Sequence, residues 1–216
     1  SLTIATAVQA IEKAALIMDI PLQSATVAIV GATGAIGAVC GQLLAPQVQE
    51  ILLIGRQSEK LNHTAQLVRQ AGCYQATTST HINDLTKAHL VITVTSAVDT
   101  VIEPRHLRQG AVVCDVARPR DVSRQVATQR PDVLVIEGGM VEVPGPVNFN
   151  FDFGFPPKMA YACMAETMAL ALEQRYESFT LGKDIQLSQV QTIDKIAARH
   201  GFKLGGFRSF EKAVTD

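Results

Sequence analysis

Neither sign of charge dominates this sequence: 19 Lys and Arg stand against 20 Asp and Glu, for a net charge of −1. A chain so balanced sets up no basic field for nucleic acid or an anionic membrane surface, and neither partner is expected. Cysteine is scarce as well. Cys40, Cys73, Cys114 and Cys163 are widely spaced and form no C-x-x-C pair. That spacing argues against a zinc site or a disulfide framework, so no metal is expected, and it suits a reducing cytoplasm. A long unbroken apolar run is also missing. No charge occurs from Ile20 to Gln49, but Pro21, Pro46 and several glycines interrupt that stretch, so no membrane span is expected. Glu12, Lys13 and Asp19 likewise break any signal-peptide core.

What the sequence does have is apolar residues, 47% of the total, enough to bury a substantial core with an appended lobe. The most informative stretch runs from Val27 to Ala45. Val27-Ala28-Ile29-Val30 reads as a fully buried strand that stops at Gly31. Ala35 to Ala45 reads as a helix, with Ile36, Val39, Cys40 and Leu43 on one stripe. Between them lies Gly31-x-x-Gly34-x-x-Gly37. Strand, glycine turn and helix in that order form an anion site. The first helical amides have no internal partner, and the helix dipole favours negative charge there. Glycines permit the sharp turn and let a diphosphate approach the backbone without meeting a Cβ. The spacing departs from G-x-G-x-x-G, so the flanking strand and helix carry the nucleotide-binding expectation more than the motif does. Gly31, Thr33, Gly34, Ala35, Ile36 and Gly37 are the cofactor-binding candidates in this loop.

Ahead of that strand, Ile4, Val8, Ile11, Ala15 and Met18 recur at helical spacing, which predicts a helix over Thr3–Met18. Residues 1–25 are expected to pack on the domain that follows. Further strands are expected at Glu50–Gly55, Tyr74–Thr78, Leu90–Thr95, Ala111–Val116 and Asp132–Ile136, with helices at Glu59–Gln70 and Glu103–Arg108. This alternation predicts an α/β fold, a doubly wound parallel sheet of Rossmann-like type, over about residues 26–145. Ligands of such sheets lie outside the carboxyl ends of the strands. That rule nominates Thr95, Ser96, Val116, Gly138 and Gly139 for the nicotinamide side. An NAD-binding domain places an acidic residue about 20 positions past the loop to receive the ribose hydroxyls. Here that place holds Arg56, with Ser58 and Lys60 nearby. A guanidinium grips a 2′-phosphate that a carboxylate would repel, so NADP is expected over NAD.

Residues 146–216 are expected to form an aromatic segment followed by helices. In Asn148–Phe155 four Phe recur at period two, which would put their rings on one face of an extended arm. The arm either covers the core or walls an apolar substrate channel. With the high apolar fraction, it points to surface buried against another subunit, in a homo-oligomer, or against a further domain. Pro156-Pro157 is read as starting a helix from about Lys158 to Tyr176. That start would place Cys163 about two turns in, beyond most of the dipole's reach, with Glu166 on the same face to raise the thiol's pKa. A last helix, about Ser188–Arg199, ends at His200-Gly201, where His200 reads as structural. Arg118, Arg120 and Arg124 form a basic cluster that could dock an acidic carrier, meet the cofactor phosphates, or simply be solvated.

Five segments carry a family resemblance: Ser1–Val8, Val27–Gly37, Glu137–Glu142, Tyr161-Ala-Cys-Met-Ala-Glu166 and Arg199-His-Gly-Phe202. They resemble the cofactor-binding part of cyanobacterial long-chain acyl-(acyl carrier protein) reductases and related predicted amino-acid dehydrogenases. In those reductases a cysteine attacks an acyl thioester and NADPH reduces the acyl-enzyme to an aldehyde. The resemblance implies that Cys163 is this nucleophile and that the substrate is carried on an acyl carrier. Those enzymes also have an N-terminal substrate domain. Its lack here makes the chain either a fragment or a member of a branch with another substrate.

Two further readings stay open. A dehydrogenase of a small amino, imino or hydroxy acid would use Lys158 or Asp115 for proton transfer. A non-catalytic domain would bind NADPH without turnover.

Overall fold

Six parallel strands build the central sheet: β1 (Thr26–Val30), β2 (Glu50–Ile54), β3 (Gln75–Ser79), β4 (Leu90–Thr93), β5 (Val112–Asp115) and β6 (Leu134–Glu137). Their order is β3-β2-β1-β4-β5-β6. The direction of winding reverses between β1 and β4, which leaves a crevice at their carboxyl ends. Val30 pairs in register with Ile54 on one side and Thr93 on the other, so these ends are level. The architecture comes from a computed structural model that describes every residue except Asp152, Phe153, Lys183, Glu211, Thr215 and Asp216.

Side-chain alternation sends the sheet's residues to two cores. Val27, Ile29, Leu90, Ile92, Val112 and Cys114 face one side, under α1 (Leu2–Ile17), α2 (Ala35–Leu44), α3 (Ser58–Gln70), α5 (Ala162–Leu172) and α6 (Leu187–Arg199). Ala28, Val30, Leu52, Val91, Val113 and Val135 face the other. That second core is thinner. It is closed by short 3-10 helices at Ile82–Lys87 and Pro104–His106 and by the short α4 (Gln125–Gln129). The sheet is thus doubly wound but lopsided.

Alanine explains how α1 can sit deep in the thicker layer. Ala5, Ala7, Ala10, Ala14 and Ala15 are all buried together with Ile4, Val8 and Ile11. Small side chains on several faces let the helix touch α2, α5, α6 and β5 at once.

The expected strands and long helices lie within a few residues of their observed bounds. Glu103–Arg108 contributes only the 3-10 turn at Pro104–His106. The larger differences lie beyond β6. β7 (Met140–Glu142), β8 (Met159–Tyr161) and β9 (Lys203–Leu204) form a small antiparallel sheet in the order β8-β7-β9, and β10 (Arg208–Ser209) pairs with β11 (Lys212–Ala213).

The helix expected from Lys158 begins instead at Ala162, because Met159–Tyr161 are taken up in pairing with Met140–Glu142. The Phe segment does not present its rings on one face. Asn150 has a left-handed φ of +51° that breaks the period, Phe149 packs against the core, and Phe151 is exposed. Phe153 lies outside the described residues. Among the described residues, no helix is long and apolar enough to cross a membrane.

Candidate nucleotide crevice and thiol site

The glycine loop bridges β1 and α2, and its three glycines have different reasons to be there. Gly31 has φ +83°, and a Cβ on it would lie 2.6 Å from the Val94 carbonyl oxygen and 3.2 Å from the Thr95 amide nitrogen. A Cβ on Gly37 would lie 2.6 Å from the Gly31 carbonyl oxygen. Both positions are therefore dictated by close backbone approach within the fold. Gly34 is different. It is the N-cap of α2, makes no side-chain cap hydrogen bond, and a Cβ there would meet only the Gly31 carbonyl oxygen at 3.3 Å. The first-turn amides of Ala35, Ile36 and Gly37 are left without a capping side chain at the positive end of α2.

The loop leans toward β2. The Thr33 methyl carbon lies 3.5 Å from where a Gly55 Cβ would stand, which puts Thr33 beside the exit of that strand. Arg56 follows directly. It is exposed and no carboxylate among the described residues engages it. Ser58 opens α3, whose N-cap Gln57 makes no side-chain hydrogen bond; Glu59 shares that first turn. The acidic residue of β2, Glu50, stands at the strand's opposite end and bonds Thr26 and Thr77.

Two buried carboxylates organise the exits of β4 and β5. Asp121 accepts the hydroxyls of Thr93 and Thr95, both at 2.5 Å, and the Thr95 amide at 3.0 Å. Asp115 accepts the amides of Ala117 at 3.0 Å and Val122 at 3.1 Å. Burial pushes the Asp115 carboxyl up to about 6; the Val122 and Ala117 amides oppose the rise and the Asp121 charge adds to it. Asp115 is thus tied to the backbone of its own loop. Asp121 escapes sequence reasoning. Its only signal is a second acid within a loop otherwise rich in Arg. Ser96 is exposed beside Thr95.

At the end of β6, a Cβ on Gly138 would lie 2.7 Å from a Val116 methyl, so these two nominated residues pack directly together. Gly139 has φ +81° and would place a Cβ 3.5 Å from the Thr3 methyl in α1. Its carbonyl accepts the Ala162 amide at 2.8 Å, which pins the start of α5 to the exit of β6.

Cys163 is the second residue of α5 and is exposed. It sits in the first turn rather than two turns in, at the positive end of the helix. It lines a cavity of about 440 Å³ together with Thr167, Leu170 and Phe179. Glu166 lies in that wall but is buried and turned to α1: it accepts the Leu2 amide at 2.7 Å and the hydroxyls of Ser1 at 2.9 Å and Thr180 at 3.2 Å.

The other three cysteines are buried. Burial pushes the Cys40 thiol up to about 12 and raises those of Cys73 and Cys114.

Lys158 is not brought to this place. It has a left-handed φ of +67° and bonds Val143 through its carbonyl at the far end of β8, roughly 10 Å of strand from the start of α5. His200 ends α6 with Nε2 2.7 Å from a Glu173 oxygen. Arg118, Arg120 and Arg124 line a separate cavity beside β6.

Residues 12–137 match the family of shikimate / quinate 5-dehydrogenases. The chain is 33% identical over 205 residues to the aminotransferase PigE of Serratia sp., covering 91% of this chain and 23% of that protein. It is 30% identical over 201 residues to the long-chain acyl-[acyl-carrier-protein] reductase of Synechococcus elongatus, covering 89% of this chain and 57% of that protein. The chain therefore spans only part of each of these relatives. Among solved structures, the glutamyl-tRNA reductase from Methanopyrus kandleri aligns over 93% of this chain and 42% of its own, with a TM-score of 0.49 and 20% identity.

Proposed function

The chain belongs to the shikimate / quinate 5-dehydrogenase family, an NAD(P)-dependent oxidoreductase domain, and from that premise we propose that it uses NADPH to reduce an acyl thioester to an aldehyde through Cys163. In this reading residues 26–145 hold the cofactor and residues 146–216 bring the thiol to it. The uncapped first turn of α2 receives the diphosphate. Arg56, next to Thr33 and the start of α3, takes the 2′-phosphate, and the acidic residue of β2, Glu50, is held at the strand's opposite end by Thr26 and Thr77. Thr95, Ser96, Val116, Gly138 and Gly139 border the nicotinamide. The chemistry NADPH supplies when bound is hydride donation to the acyl carbon.

The position of Cys163 carries this reading. It is the exposed cysteine of the four, in the first turn of a helix whose start is bonded to the exit of β6. The Cys163 thiolate attacks the thioester carbonyl carbon, the C–S bond to the carrier breaks, and the carrier leaves as its thiol after taking up a proton. The positive end of α5 favours the oxygen that becomes negative during attack. The relative in Synechococcus elongatus, a long-chain acyl-[acyl-carrier-protein] reductase, supports the thioester as substrate.

The test is intact mass after mixing the protein with a long-chain acyl thioester in the absence of NADPH. An acyl adduct is expected, and it disappears in Cys163→Ser. An adduct on another cysteine, or NADPH oxidation unchanged by Cys163→Ser, overturns the reading.

One observation favours a second reading, a dehydrogenase of a small hydroxy or amino acid: the family match ends at residue 137, before Cys163. Its mark would be NADP reduction by such an acid with Cys163→Ser fully active.

A further inference from the structure

A buried carboxylate decides which way the exit of β4 presents its hydrogen bonds. Thr95 stands where β4 meets the glycine loop, its amide nitrogen 3.2 Å from the position of a Gly31 Cβ. Its side chain is half-buried, and Ser96 beside it is exposed. Asp121 is fully buried. Its Oδ1 accepts the Thr95 hydroxyl at 2.5 Å, and its Oδ2 accepts the Thr93 hydroxyl at 2.5 Å and the Thr95 amide at 3.0 Å. The Asp121 backbone is pinned in turn, because its carbonyl takes the amides of Val101 at 2.8 Å and Ile102 at 2.9 Å. The next amide, that of Val122, goes to Asp115 at 3.1 Å, and Asp115 pairs in register with Thr93. Asp121 is thus tied to β5 as well as to β4. A group that orients another is kept rigid in this way.

The consequence is one of polarity. A hydroxyl has one proton and two lone pairs, and a free one rotates to suit a donor or an acceptor. A carboxylate offers only acceptors. Facing it, the Thr95 hydroxyl spends its proton inward, while one lone pair takes the Ala97 amide at 3.1 Å. The Thr95 amide is spent on Asp121 too. What the Thr95 side chain retains for a ligand is a lone pair on Oγ1, with the Asp121 carboxylate behind it. Such an edge accepts an N–H and opposes a second acceptor. The carboxamide of nicotinamide carries two N–H donors, whereas a carboxylate in its place carries none.

We propose that Asp121 is a positioning residue that fixes Thr95 as an acceptor, so that this edge of the crevice selects a pyridine ring bearing a carboxamide over one bearing a carboxylate. The inference rests on the proposed function for the cofactor, and adds the group that orients its reactive ring.

The test is calorimetric titration of the full chain with NADP⁺, its nicotinic acid analogue and 2′,5′-ADP, which lacks the ring altogether. The parent should bind NADP⁺ about tenfold tighter than the acid analogue. Asp121→Asn offers an N–H to Thr95 and frees its proton, which should bring that preference within about threefold. Its affinity for 2′,5′-ADP should stay within about twofold of the parent. Thr95→Val, which spares the buried acid, should weaken NADP⁺ about fivefold with 2′,5′-ADP again within about twofold, and Thr95→Ser should recover most of the loss. If Asp121→Asn does not fold, the two Thr95 variants decide. A parent with no preference for the carboxamide, an unchanged preference in Asp121→Asn, or equal losses of NADP⁺ and 2′,5′-ADP in Thr95→Val overturns the inference and leaves the cofactor reading standing. A parent that binds none of the three nucleotides overturns the cofactor reading, and this inference with it.

Discussion

Replacing Arg56 with alanine should weaken NADPH and leave NADH untouched. The guanidinium sits just past the exit of β2, is exposed, and has no carboxylate partner among the described residues. Its removal therefore orphans no buried charge, and the whole effect falls on the ligand. A charge-assisted contact to a phosphate is worth about 1.5–3 kcal/mol when well formed. Exposure at this strand end brings that to about 1–2 kcal/mol through solvent screening, or about 5- to 30-fold in Kd. NADH lacks the 2′-phosphate and should change by less than about twofold. The Arg56→Asp variant should go further, because a carboxylate would repel the phosphate. Nicotinamide fluorescence titrations with both nucleotides measure this directly. Raising salt from about 0.05 to 0.5 M should shrink the difference between parent and variant, since the Debye length falls from above 10 Å to a few Å. Equal losses for NADPH and NADH, or a parent chain that prefers NADH, would refute the assignment.

Three other outcomes can be checked with little material. Gly37→Ala should cost about 1–3 kcal/mol because the new Cβ meets backbone 2.6 Å away; a thermal melt should show a drop of several degrees and a smaller one for Gly34→Ala. Native thiol titration should find one fast cysteine, abolished by Cys163→Ser, with the buried Cys40, Cys73 and Cys114 reacting only after unfolding. Two or more fast thiols would contradict the packing of α2 and β5. Asp115, raised to about 6 by burial, contributes stability that is fully present below the ordinary carboxylate value near 4 and is lost as pH rises through 6. Urea midpoints at pH 4.5 and 7 should therefore converge in favour of Asp115→Asn as pH rises; a parallel offset at both values would show that Asp115 does not titrate there.

The sheet and its crevice were legible because buried parallel strands are continuous apolar runs, as in Ile51-Leu52-Leu53-Ile54, that need no tertiary context to read. The α5 start was not. Met159-Ala160-Tyr161 has helical composition, and only pairing with a strand about 20 residues earlier decides that it is extended. The consequence for Cys163 is large, since the thiol moves from mid-helix to the positive end. Arg56 was legible as a charge at a strand end, whereas the gathering of Arg118 and Arg124 with Arg208 was not. Their meeting depends on the 3-stranded sheet and β10 folding back onto β6, which no local pattern announces. The reason for Gly37 was likewise hidden, because it lies in the backbone distance to Gly31 and not in the motif.

The alanine-rich α1 has a practical consequence for dissecting the molecule. A minimal fragment trimmed to begin at Thr26 would keep all six strands yet strip the roof from Val112 and Cys114. It would also remove the Leu2 amide on which Glu166 rests, leaving an ionised side chain stranded over bare hydrocarbon. Such a truncation should aggregate or stay insoluble. Boundaries drawn for expression or domain swapping belong upstream of Leu2.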